Sequence, residues 1–386
     1  MKITKIECHV LLDPEYDPAA TSSAQDDLVV EVHTDEGIVG IGETDLNPWI
    51  ARECIEAPGT HTMDQGLGSM LIGENPLEIE KLWWKAYQAT AMTGRRGALI
   101  NALGAIDMAL WDIAGKAADK PVWQLLGEKS REHLGAYASL QPEVGSFDAY
   151  ITSMVKWAHS AKEMGFRAAK LETTFSGPYA NMGIREDDEK MTEVIRAVRN
   201  AVGPDFTLMV DVQYAFDSVD RAIKTINTWQ EFDLFFVETP LWVDDLEGLS
   251  KLVAATPIKI ASGEWLSTRY EFADLIKYGN VGVVQPDIGR VGGLSEARNV
   301  CNMAKENNKI VVPHLWKTGI SVAAAAHLAT VTPHMPFFEF LPPALCESRL
   351  RKELVVDEVT MVDGKVTIPQ RPGLGIELNR DALELF

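Results

Sequence analysis

Three short apolar runs in the middle of this chain each end in a carboxylate, and no other feature narrows the possible folds so far. They are Thr207-Leu-Met-Val-Asp211, Leu234-Phe-Phe-Val-Glu238 and Ile258-Lys-Ile-Ala-Ser-Gly-Glu264. The acids stand 27 and then 26 residues apart, about one strand, one loop and one helix. Unbroken apolar runs are what strands buried in a parallel sheet require. In barrels of such strands the functional side chains gather at the C-terminal ends. Three acids at successive strand ends therefore converge on one point, where their mutual repulsion calls for a cation. Three oxygen ligands with room for water suit a hard ion such as Mg²⁺.

The same rhythm extends well beyond these three runs. Strand-like stretches recur at 133–139, 168–173, 207–213, 234–240, 258–264, 281–288, 309–315 and 336–341, with helical segments between most of them. This spacing predicts a (β/α) barrel over 126–353. Residues 1–125 read as an α+β unit instead. Alternating runs at 2–12, 27–34 and 38–43 suggest strands, the last two joined by the turn signal Asp35-Glu36-Gly37. Helical periodicity follows at 76–90 and again at 97–118, where Leu99, Leu103, Ile106, Leu110 and Ile113 recur at steps of three and four. Polar loops are expected at 13–26 and 44–62. The tail, 354–386, is expected to return to the first domain, its stretch 361–369 forming a short hairpin packed there.

Composition removes several function classes. The chain has 386 residues, 46% hydrophobic and 24% charged, enough for a large core. Its net charge of −20 argues against nucleic acid, which needs a basic footprint, and against an anionic membrane surface. An anionic small molecule stays open as a partner, because a bound cation reverses the local potential. Cys8, Cys54, Cys301 and Cys346 form no CxxC pair, which points to free thiols in a reducing compartment. With no signal-like start and no apolar stretch approaching 18 residues, a soluble, cytoplasmic protein is expected.

The remaining strand ends carry chemistry too. Lys170-Leu-Glu172 places two polar side chains on one side of a strand. Asp287, His314 and Glu339 close the sixth, seventh and eighth strands. An Asp beside a His fixes the imidazole tautomer and stabilises its protonated form, which makes a general base near neutral pH. A metal, a base and a lysine around one pocket suit abstraction of the proton next to a carboxylate, with the cation stabilising the enediolate.

The segments GAIDMALWDIAGKAADKPVWQLLG, VDVQ, VETP, SGE, QPDIGRVGG and VPHLW carry a resemblance over nearly the whole length. The chain resembles members of the enolase superfamily, in the mandelate racemase-like subgroup, whose superfamily uses a Lys or His base with Mg²⁺. The resemblance implies a modified TIM barrel of the (β/α)7β type under an α+β capping domain. It implies Asp211, Glu238 and Glu264 as metal ligands, His314 as base paired with Asp287, and Glu339 as a hydrogen-bond partner of the substrate carboxylate. The muconate-lactonising subgroup would want a lysine where Asp287 stands.

Two positions depart from the pattern. The second strand often reads Lys-x-Lys, but here Lys170 is followed by Glu172, open to readings as an acid/base, a partner of Lys170 or an acceptor for a substrate hydroxyl. Gln213 stands where Asn or His is common. Losing the second lysine favours β-elimination, which one histidine can run, over racemisation, which needs groups on both faces. The expected activity is an acid-sugar dehydratase yielding a 2-keto-3-deoxy acid, with Lys170 orienting the carboxylate. The alternative is an epimerase, racemase or cycloisomerase on a related acid or lactone, and a non-catalytic barrel stands further off. A zinc or di-metal hydrolase would want His-x-His at the first strand, where His133 stands alone. Lid loops should set specificity, with Thr21, Ser22, Ser23, Asp45, Asn47 and Trp49 as candidates and Trp265 and Trp316 as pocket walls. His33, Arg95 and Arg96 read as structural or solvated. Self-association into a homo-oligomer is also expected.

Overall fold

Eight apolar runs become eight parallel strands, and their register sets the site. The protein is described here by a computed structural model covering residues 1–17, 24–140, 145–180, 184–362 and 364–386. The chain begins with an antiparallel sheet of β1 (Ile3–Leu12), β2 (Asp26–Thr34) and β3 (Val39–Thr44), in that order. Gly37, at φ 79°, turns the chain between β2 and β3, a conformation glycine adopts without Cβ strain. The 20-residue helix Ala98–Ala117 lies directly on this sheet. A Cβ on Gly40 or Gly42 would stand 2.0 Å from the carbonyl oxygens of Ala109 and Ala105. The helix is apolar and long enough to span a membrane by length and composition, but 83% of its most apolar window is buried in the protein. It is a core helix.

The loop expected at 44–62 contains a helix, Pro48–Glu56. Asn47 caps it, its side chain accepting from the Ile50 N–H, and Pro48 supplies the fixed φ that suits a first turn. The Asn-Pro pair was the available signal, and the polar look of the stretch hid it.

From residue 136 the chain forms β4 (Ala136–Leu140), β5 (Ala168–Glu172), β6 (Thr207–Asp211), β7 (Leu234–Glu238), β8 (Ile260–Ser262), β9 (Val283–Val284), β10 (Ile310–Val311) and β11 (Phe338–Phe340). They pair in parallel as β10-β9-β8-β7-β6-β5-β4-β11, with helical segments in each of the seven connections. Among the described residues β10 and β11 share no ladder. Their seam is bridged by the Val311 N–H on the His334 carbonyl and the Leu315 N–H on the Glu339 carboxylate. Tyr137, Ala168, Met209, Phe236, Ala261, Val283 and Val312 fill the barrel interior, one from each of seven strands or strand ends, so the barrel is a packed core rather than a pore.

The tail divides its contacts. Met361–Val362 and Lys365–Val366 pair as the hairpin expected, its turn residue Asp363 outside the described residues. The paired residues pack on the barrel, Val366 bonding Leu134 and a Cβ on Gly364 standing 2.0 Å from the Gly165 carbonyl, while Pro369, at the end of the expected stretch, accepts from the Trp123 indole of the first domain. Later residues reach the cap as well. Arg380 grips Glu31 with two N–H bonds, and the Leu12 N–H donates to the Phe386 carbonyl.

Candidate active site

The ladder aligns the acids. Glu172 pairs with Asp211, Asp211 with Glu238, and Glu238 with Ala261, three residues before Glu264. The strand ends thus bring Glu172, Asp211 and Glu238 level, and the turn after β8 supplies Glu264. Asp211, Glu238 and Glu264 are all buried.

Each of the three is held by a side-chain donor from another strand or strand end. Asp211 Oδ1 accepts from the Thr239 hydroxyl at 2.6 Å and the Gln213 N–H at 2.9 Å. Glu238 accepts from Lys170 Nζ at 2.8 Å and Gln285 Nε2 at 2.7 Å. Glu264 Oε1 accepts from the Tyr214 hydroxyl at 2.9 Å, and its Oε2 stands 3.4 Å from His314 Nε2. Burial pushes Asp211 up to about 6, Lys170 opposing and Glu264 adding to the shift. Burial pushes Glu238 up to about 8, with Lys170 opposing and the other acids adding. Burial and mutual repulsion thus both disfavour ionisation of these acids, and Lys170 offsets this only in part.

Three buried carboxylates at neighbouring strand ends, an all-oxygen donor set, fit a hard divalent cation. The three carboxylates do not all have oxygens within 4.8 Å of one another, a spacing met among the described residues by Glu7, His9 and Glu31. That trio, on the cap sheet, is an ion-pair cluster: Glu31 takes two bonds from Arg380 and one from His9. The ladder fixes the backbones of Asp211 and Glu238, and Glu264 follows two residues after β8.

Opposite the acids, His314 Nδ1 lies 2.7 Å from Asp287 Oδ2, while Asp287 Oδ1 accepts from the Gly289 N–H. Burial and Arg290 push the imidazole down, but Asp287, Glu264 and Glu339 outweigh them and hold it up at about 9. Lys170 Nζ lies between Glu238 and Glu339, 2.9 Å from the latter, and over the Tyr137 ring. Burial acts against its charge, yet those two acids hold it well above the usual lysine range. Glu339 is fully buried and its second oxygen accepts from the Leu315 N–H, so the Lys170–Glu339 pair sits beneath the mouth of the barrel.

The outer candidates are more dispersed. Glu172 is half-buried at the end of β5, its carbonyl accepting from the Tyr150 hydroxyl. Gln213 lies in a left-handed turn at φ 41° beside Asp211. Asn47 is a helix cap, and Trp49 is 43% exposed on that helix. Trp316 is half-buried next to His314 and Leu315. Thr21, Ser22 and Ser23 lie outside the described residues. Asp45, at the end of β3, is fully engaged by Arg290, whose guanidinium also donates to the Glu264 carbonyl. Thr239, Gln285 and Tyr214 escaped the reading of the sequence. The first two sit inside the quoted VETP and QPDIGRVGG segments, where only the acids drew notice.

The family described as "Mandelate racemase / muconate lactonizing enzyme, N-terminal domain" matches residues 5–127, and "Enolase C-terminal domain-like" matches 153–382. D-galactarolactone cycloisomerase of Agrobacterium fabrum is 34% identical, covering 100% of this chain and 99% of that one. L-rhamnonate dehydratase of Saccharopolyspora erythraea is 33% identical over 91% of this chain and 83% of its own. Among solved structures, the 3,6-anhydro-D-galactonate cycloisomerase from Zobellia galactanivorans superposes with a TM-score of 0.85 at 30% identity, covering 100% of this chain and 99% of that one.

Proposed function

Because the chain belongs to the enolase superfamily, in its mandelate racemase-like subgroup, we propose that it removes the proton alpha to the carboxylate of a sugar acid and expels the β-oxygen, giving a 2-keto-3-deoxy acid. The observation that carries this reading is the His314–Asp287 pair facing the buried acid cluster, with Nε2 3.4 Å from Glu264. Asp287 accepts a hydrogen bond from Nδ1–H, so the lone pair of neutral His314 lies on Nε2, toward the acids. His314 accepts the α-proton there. As imidazolium it then donates that proton to the β-hydroxyl, the C–O bond breaks, water leaves, and the enol product tautomerises to the keto acid. A divalent cation such as Mg²⁺ held by Asp211, Glu238 and Glu264 supplies Lewis-acid stabilisation of the charge moving onto the substrate carboxylate. Lys170, fixed by Glu238 and Glu339, places a permanent positive charge under the same point.

Dehydration is the first reading because proton transfer from one face suffices. Lys170 is pinned by two acids, and β5 ends in Glu172 rather than a second lysine. Cycloisomerisation is the second, supported by the full-length similarity to D-galactarolactone cycloisomerase. There the same base acts and the leaving oxygen belongs to a ring, so it stays attached.

The test is a panel of aldonates, aldarates and their lactones incubated with Mg²⁺ and followed by NMR and mass. Dehydration predicts a keto acid lighter by one water, and cycloisomerisation predicts an isomer of unchanged mass. EDTA should abolish either activity and Mg²⁺ restore it. Solvent deuterium entering the α-position with no elimination product defeats both readings.

A further inference from the structure

The turn after β6 is unusual. Gln213 and Tyr214 are consecutive non-glycine residues with left-handed φ, 41° and 61°. Such backbone persists only where its surroundings over-determine it, and it clusters at functional sites. Two bonds fix it here: the Gln213 N–H donates to Asp211 Oδ1, and the Tyr214 N–H donates to the Thr239 carbonyl at 2.7 Å. The conformation throws the Tyr214 side chain across two strands to the end of β8. There its ring stacks on Trp265 with centroids 4.4 Å apart, and Trp242 and Tyr179 close around the pair. The three outer rings are 36–45% exposed, whereas Tyr214 is 3% exposed and its hydroxyl reaches Glu264 Oε1.

We propose that Tyr214 is a positioning residue that orients Glu264 for the divalent cation. This rests on the reading of Asp211, Glu238 and Glu264 as its ligands. The hydroxyl uses one lone pair of Oε1 and leaves the other, with those of Oε2, for the ion. Without that bond His314 is the one remaining polar side-chain partner of Glu264 among the described residues, and an ion pair with the base would compete with ligation. The aromatic stack holds the ring, so the hydroxyl stays in place without a flexible arm. Partners that orient metal ligands typically contribute 10–100-fold in metal affinity.

The test titrates Mn²⁺, a hard ion with a direct spin-resonance signal, into the cation-free wild type, Tyr214→Phe, Trp265→Leu and Glu264→Gln. Tyr214→Phe is expected to bind 10–100-fold more weakly, and Trp265→Leu several-fold more weakly, while Glu264→Gln defines loss of the ligand itself. A hydroxyl with only a packing role would lower the unfolding midpoint of the cation-free protein and leave Mn²⁺ affinity unchanged, which overturns the proposal. Wild type that binds no Mn²⁺ overturns the cation reading and this inference together, whereas equal binding by wild type and Tyr214→Phe overturns the inference alone.

Discussion

Two histidines show how burial and partners assign opposite roles to one side chain. His314 has a carboxylate on each nitrogen, and these favour its charged form. Replacing it with Asn should lower turnover of the sugar acid by about 10²–10⁴-fold and leave Mn²⁺ affinity near the wild-type value; a fall below about tenfold would remove it as the base. His327 has none. Its Nδ1 accepts from the Trp123 N–H and its Nε2–H donates to the Leu374 carbonyl, so the neutral tautomer is fixed. Burial holds it down at about 4, against about 6.5 in an unfolded chain. Between those values the unfolded state binds more protons, so stability falls as pH drops through that window and levels off below it. The loss approaches about 3 kcal/mol at roughly 1.4 kcal/mol per unit. Urea midpoints of His327→Gln between pH 7 and 4 should fall less steeply than wild type; parallel curves would refute the assignment.

Elements were legible where a long period left a trace. The helix Ala98–Ala117 follows from its three-and-four spacing, and the strands from unbroken apolar runs. The helix Pro48–Glu56 did not, because only Pro48, Ala51 and Ile55 of its nine residues are buried and the stripe is too thin to read. Asn280, at φ 52°, ends the helical turn Leu275–Gly279 in the left-handed conformation that glycine more often supplies. Gly40 and Gly42 carry a constraint that no pattern announces. With Ala105 and Ala109 they let a helix rest on strand backbone. Gly42→Ala should therefore cost about 1–3 kcal/mol, read as a lowered urea midpoint. An unchanged midpoint would mean the helix slides away freely.

At the scale of the molecule, polar groups of the cap grip the barrel loops beside the site. Arg290 pairs with Asp45, Lys317 with Asp26, and Glu43 accepts from the Thr318 and Ser321 N–H groups. Burial alone would raise Asp45, but Arg290 holds its carboxyl below the usual range, so the pair stays ionised. Asp45→Ala leaves a largely buried guanidinium without its carboxylate, and breaking a buried pair costs about 3–5 kcal/mol. The measurement is thermal unfolding of Asp45→Ala beside Asp26→Ala, whose partner Lys317 also bonds the Asp26 carbonyl. The first should lose clearly more; equal small losses would show that Arg290 finds water.

What the sequence determined alone was whatever repeats or sits at a strand end. Apolar period and spacing imply parallel strands, and parallel strands bring the residues that end them together, so Asp211, Glu238, Glu264, Asp287 and His314 could be named in advance. The tertiary structure decided what joins residues far apart in the chain without a period: Tyr214 on Glu264, Gln285 on Glu238, Arg290 on Asp45, and the hairpin's place on the barrel. The first of them depends on a backbone turn, left-handed at Tyr214, that side-chain pattern does not encode. Hydrophobic burial is periodic and leaves a signal in one dimension; a hydrogen bond across strands is a single event and leaves none.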